Sequence, residues 1–187
     1  KKMGVRSGPR IPSESREEGG VLLIHSDTTN GSTSFVDSSP SAHAITNYDV
    51  IHSTTKSKFG ATSLFMSDEL DRLRLADSPD WDFGTEDWTI DCWVNPTTAG
   101  NSPYGWGGIV TFTDTGKVTS PFLHNLRLQL TSRELYLGTS GGNIVTSSTV
   151  PLTTWTHVAA VRSGDSIKLY INGVLGATST GHSGQNH

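Results

Sequence analysis

The chain of 187 residues has one cysteine, Cys92. No intrachain disulfide can form, so a disulfide-stapled scaffold is excluded. No apolar run approaches the roughly 20 residues that a membrane-spanning helix needs. The basic residues near the start, Lys1, Lys2, Arg6 and Arg10, have no apolar stretch behind them, so no secretory signal is expected there. Charge is scarce: 17% of residues are charged, against roughly 25% in an ordinary soluble domain. Lys and Arg number 14 and Asp and Glu 18, a net charge of −4, which speaks against a basic nucleic-acid footprint over the whole chain. Long flexible side chains that favour helices are correspondingly few. In their place stand 24 Ser, 24 Thr and 20 Gly, residues of strands and turns. No stretch sustains a helical apolar period, and the chain is expected to be all-β.

Residues 1–20, KKMGVRSGPRIPSESREEGG, differ from the rest. They carry eight formal charges, four glycines and two prolines, with too few apolar residues to build a core. They are expected to be a flexible arm or linker, with 21–187 as the folded unit.

From Val21 onward the pattern is one of short strands. Val21-Leu22-Leu23-Ile24-His25 is a short apolar run between Gly20 and Asp27, the form of a buried strand. Ser34–Asp37 and Ala44–Ile51 are weaker candidates, and Phe59–Met66 is a stronger one. In Trp88–Val94, Trp88, Ile90, Cys92 and Val94 share one face and Thr89, Asp91 and Trp93 the other, and Pro96 ends the run. Leu126, Leu128 and Leu130 alternate with Arg127 and Gln129, and Glu134–Leu137 follows after a short turn. Trp155–Val161 and Ile167–Ile171 are separated by Ser163-Gly164-Asp165, and Asn172-Gly173 is a strong two-residue hairpin signal. Many short strands with regular turn signals predict an antiparallel sandwich.

Several segments in order carry a resemblance: Phe59-Gly60-Ala61-Thr62-Ser63-Leu64-Phe65, Leu73-Arg74-Leu75-Ala76-Asp77-Ser78-Pro79, Trp81 through Val94, Trp155-Thr156-His157-Val158-Ala159 and Leu169-Tyr170-Ile171-Asn172-Gly173. Together, over about residues 21–178, the chain resembles the concanavalin A-like lectin/glucanase superfamily, in its laminin G-like branch. Leu22–Asp27 with Asp37-Ser38-Ser39 is similar to copies in phage virion and tail proteins. The resemblance implies a jelly-roll sandwich of two curved antiparallel sheets. It also implies further strands after the Asn172-Gly173 hairpin, one of them returning beside the N-terminal strand. The chain given ends at His187, so a sandwich lacking its last strands is expected, with an open edge that a partner strand could fill.

Glucanases of this superfamily carry carboxylates at alternate positions of one strand, which sets acid and nucleophile about 5–5.5 Å apart on one face. No such motif occurs here: Asp91 stands alone on its strand, and Glu134 has no partner on its face. There is no Gly-x-Ser-x-Gly, no His-Glu-x-x-His and no phosphate loop. Catalysis is not expected. Relatives bind calcium at the sandwich rim, and oxygen ligands on turns suit that ion. Asp27, Asp37 and Asp114 are the candidates, although each reads more readily as a turn residue bonding its own backbone.

For binding, the loop over residues 97–108 carries Tyr104 and Trp106, rings that can stack on sugars or fold back over the end of the sandwich. Asp91 with Trp93, and Arg127 with Gln129, share faces that would line a groove if left uncovered. Asn30-Gly31-Ser32 matches a glycosylation acceptor and also reads as a turn. The expected function is a non-enzymatic module for carbohydrate binding or adhesion on a phage virion or other extracellular surface. Its partner would be a glycan or host polysaccharide, with no nucleic acid and no membrane insertion. The second reading is a structural virion protein, a capsid decoration or tail component, that contacts other virion proteins or further copies of itself.

Overall fold

The computed structural model describes residues 3–7, 20–68, 70–98, 106–113, 124–139 and 142–183. Fourteen strands and a single 3-10 turn, Pro79–Trp81, make up the regular structure among them. The strands are β1 Met3–Ser7, β2 Leu22–Ile24, β3 Ile45–Tyr48, β4 Ile51–Ser53, β5 Ser63–Phe65, β6 Arg72–Leu75, β7 Trp88–Val94, β8 Trp106–Thr113, β9 His124–Thr131, β10 Glu134–Thr139, β11 Gly142–Thr149, β12 Thr156–Ser163, β13 Ser166–Ile171 and β14 Val174–Thr180. Six form one antiparallel sheet in the order β14-β13-β12-β7-β1-β2, and four form a second in the order β11-β10-β9-β8. Two short ribbons, β3 with β6 and β4 with β5, complete the set. The sheets meet where β11 lies against β13 and β14, and β10 against β13. This is the antiparallel sandwich that the alternating patterns predict.

The core lies between the sheets and follows the alternation. Trp88, Ile90, Cys92 and Val94 of β7 are buried, while Thr89, Asp91 and Trp93 are only partly so. Val158 and Ala160 of β12, Ile167, Leu169 and Ile171 of β13, Leu135 and Leu137 of β10 and Ile144 of β11 join the same cluster. Each fully buried aliphatic side chain contributes about 1.5–3 kcal/mol, so this two-sided layer of apolar residues fixes which face of β7 points inward. A register slip by one residue would exchange Cys92 for Trp93 in the core.

The turns follow local chemistry. Asn172 and Gly173 take φ values of 50° and 77° between β13 and β14, the paired left-handed geometry that Asn-Gly favours. The β9–β10 turn uses the same geometry without glycine, with Ser132 at 49° and Arg133 at 72°.

Three expectations are corrected. Residues 1–20 are not wholly an arm: Met3–Ser7 form β1, inserted between β2 and β7 with Val5 opposite Leu22 and Ile90. A strand hydrogen-bonded on both sides is held by its backbone, which a search for apolar runs does not detect. The position beside the N-terminal strand is thus filled by β1, and the edges of the six-stranded sheet are β2 and β14. Ser34–Asp37 is not a strand; only a single bridge joins Asp37 to Ile24. The Phe59–Met66 run shortens to Ser63–Phe65, which leaves Phe59 in the β4–β5 connection and 53% exposed.

Candidate functional site on the outer face of the six-stranded sheet

Because the even-numbered residues of β7 face the core, Thr89, Asp91 and Trp93 face outward. The register extends this face across the sheet. Trp93 lies opposite His157, Asp91 opposite Ala159, and Ala159 opposite Tyr170, which is opposite Leu175. Thr89 lies opposite Val161, which is paired with Lys168. The connection between β4 and β5 reaches over the Trp93 end. Lys56 Nζ donates to Asn95 Oδ1 at 3.2 Å, and Phe59 stands edge-on to Trp93 with ring centroids 5.8 Å apart.

Trp93 is the centre of this arrangement. The Lys58 ammonium sits 4.1 Å from its ring centroid, and the His157 ring lies tilted at 5.4 Å. His157 Nε2 is 4.0 Å from Asp91 Oδ2, with the two side chains 30% and 41% exposed. At that distance and exposure the contact contributes less than about 1 kcal/mol. The backbone N–H of His157 donates to Asn172 Oδ1 at 2.9 Å, so the Asn-Gly hairpin tip also fixes this residue. The outcome is an apolar aromatic surface fringed by a carboxylate, an imidazole, an amide and two ammonium groups. That combination stacks on flat apolar faces and hydrogen-bonds hydroxyls at their rim.

A second polar cluster fastens the start of the chain. Asp37 is buried and accepts from Leu23 N and Ser39 N on Oδ1, both at 2.9 Å. On Oδ2 it accepts from Ser39 Oγ, His43 N and His43 Nδ1 at 2.9, 3.0 and 2.8 Å. Burial pushes its pKa up, but the hydrogen bonds from Leu23, Ser39 and His43 outweigh burial and lower it to about 2. His43 Nε2 faces Asp80 Oδ2 at 3.3 Å, and its ring lies tilted against Trp81 at 4.5 Å. Asp80 also accepts from Ser41 Oγ at 2.5 Å.

The residues singled out from the sequence are dispersed. Asp91 lies on the outer face just described. Trp106 opens β8, opposite Thr131, and Arg127 is in β9, opposite Thr111 and Gly138; both belong to the other sheet. Tyr104 and Asp114 lie outside the described residues. Asp27 is exposed, accepts from Ala61 N at 2.7 Å and packs on Gly60. Asp37 has its oxygens filled by five protein donors, which a cation would have to displace. Among the described residues no group of three or more His, Cys, Asp or Glu side chains is arranged to hold a metal ion. The sequence reading missed Lys58 and Phe59 as partners of Trp93. The only local signal was a large ring before a glycine, at Phe59-Gly60.

The Laminin_G_3 model, described as the concanavalin A-like lectin/glucanases superfamily, matches residues 70–187. That span runs from β6 through β14 and includes Asp91, Trp93 and His157. A search of curated proteins gave no match.

Proposed function

From the premise that the chain belongs to the concanavalin A-like lectin/glucanases superfamily, we propose that it is a non-enzymatic glycan-binding or adhesion module whose contact surface is the outer face around Trp93. The observation that carries this reading is the Trp93–Phe59 pair on the outer sheet face, ringed by Asp91, His157, Asn95 and Lys58. Fold alone does not assign an activity; the aromatic surface with its polar rim is what favours sugar. The lone carboxylate of β7 has no same-face acid to work with, and glycoside cleavage needs two. The resemblance of Leu22–Asp27 to phage virion and tail proteins supports display on a virion or other extracellular surface, with a host polysaccharide as partner.

A glycan array probed with the full chain tests this. Phe59 is 53% exposed, so Phe59→Ala is expected to leave the melting temperature within experimental error. It should weaken retention about 3–10-fold, the worth of one aromatic contact. Trp93→Ala should weaken it further. An array on which no glycan is held, or on which both variants bind as the parent does, would refute the proposed surface.

A further inference from the structure

We propose that Lys58 is a displaceable cover on Trp93 that makes this face select acidic over neutral sugars, an inference that rests on the sugar-binding reading above. The ammonium of Lys58 lies 4.1 Å from the Trp93 ring centroid and 5.7 Å from that of Phe59. It therefore occupies a ring face on which a sugar would stack. A neutral sugar that takes this place strips the cation of its aromatic partner and gives it nothing in return. An acidic sugar stacks on the vacated ring while its carboxylate or sulfate oxygens receive the displaced ammonium. Cation–ring contacts at solvent-exposed positions are weak enough to be broken by such an exchange.

The surrounding charges point the same way. The chain carries a net charge of −4, yet this face presents Lys56, Lys58 and Lys168. Among the described residues the acids near it are Asp91, 4.0 Å from His157, and Asp27, which accepts from Ala61 N at 2.7 Å beside Gly60; Asp87, beyond the far end of β7, accepts from Gly164 N at 2.6 Å. The region around Trp93 is thus a locally basic patch on an acidic molecule.

The test is retention of the full chain on three immobilised polymers: polygalacturonate for carboxylates, dextran sulfate for sulfate esters, and neutral dextran. The parent is expected to hold at least one acidic polymer about 3–10-fold more tightly than dextran, and which one it holds separates carboxylate from sulfate as the anionic group. Lys58→Met keeps an apolar stem over the ring without the charge. It should bring the acidic and neutral polymers to within about twofold of each other by weakening the former and strengthening the latter. Trp93→Ala should reduce retention of every polymer, which diffuse ion exchange would not do. The inference is overturned if Lys58→Met leaves the preference unchanged, or if acidic retention survives Trp93→Ala. If dextran is held as tightly as the acidic polymers, selectivity falls while the sugar-binding face stands. If none of the three is held, both fall together.

Discussion

Acid should loosen this protein in a way that one residue dominates. The Asp37 carboxyl is lowered from 3.8 to about 2, so its ionised form is favoured in the folded state. A carboxyl depressed on folding contributes its stability in full above its unfolded value and loses it as pH falls through the folded one. The fall from 3.8 to about 2 corresponds to about 2 kcal/mol. That contribution is whole above about pH 5 and is lost progressively as pH drops below 3.8 toward 2. The matching perturbation is Asp37→Asn. Whichever way the amide is turned, its NH2 faces at least two of the five donors that the carboxylate now accepts. At neutral pH the variant should therefore be less stable by about 2 kcal/mol or more, which lowers the melting temperature by about 4–8 °C for a chain of this size. Urea titrations from pH 7 to pH 2, followed by tryptophan fluorescence, give both numbers. Asp71 and Asp165, also lowered by backbone donors, give parent and variant a shared acid slope, so the difference between the two curves isolates Asp37. Parallel curves from pH 5 to pH 2 would refute the account.

Two further outcomes follow from the interior. Arg162 is buried and donates from Nη1 to the half-buried Gly84 O at 3.0 Å and from Nη2 to the buried His182 O at 2.7 Å; Arg162→Met should cost about 3 kcal/mol or more, since these carbonyls lose their donors, and a loss below 1 kcal/mol in chemical denaturation would contradict it. Trp88 is buried, and its Nε1 has no hydrogen-bond partner among the described residues; Trp88→Phe should cost under about 1 kcal/mol while Trp88→Ala costs about 3–5, and near-equal losses would show that the indole N–H is paired.

Strands such as β7, β9, β10, β12 and β13 were legible because their signals are local, whereas β11, Gly142–Thr149, was not read from the sequence. Trp88 to Val94 announces its buried face by strict alternation, and Asn172-Gly173 announces its turn by the two residues that best tolerate positive φ. The β9–β10 turn at Ser132-Arg133 was found from the flanking strands alone, since neither residue is a usual left-handed turn former. What escaped was non-local. β1 is fixed by pairing with β7, more than 80 residues away in sequence, and nothing within Met3–Ser7 marks it as a strand between two others. The site divides in the same way. That Asp91 and Trp93 share a face follows from their spacing. That Lys58 and Phe59 close over Trp93 from the β4–β5 connection depends on how that connection crosses the sheet. Asp37 shows the converse: its bond to Ser39 N is the local turn chemistry expected of an aspartate before serine, while its bonds to Leu23 and His43 are tertiary and give it its structural weight.

The layout separates what holds the fold from what meets a ligand. β7 contributes to both, but on opposite faces: Ile90 and Cys92 are wholly buried, while Asp91 between them is 41% exposed in its side chain. The strongest polar fasteners lie elsewhere. Asp37 ties the β2 backbone to the turn after it, and Arg162 ties the end of β12 to Gly84 and to the residues after β14. Substitutions at Lys58 and Phe59 therefore remove little buried area and leave these fasteners untouched, so any change they cause in sugar retention reports on contact and not on unfolding. Trp93 is the exception, because its ring both offers the surface and packs on His157. Its variant has to be judged against its own melting temperature, and Phe59→Ala supplies the control in which loss of contact and loss of stability do not coincide.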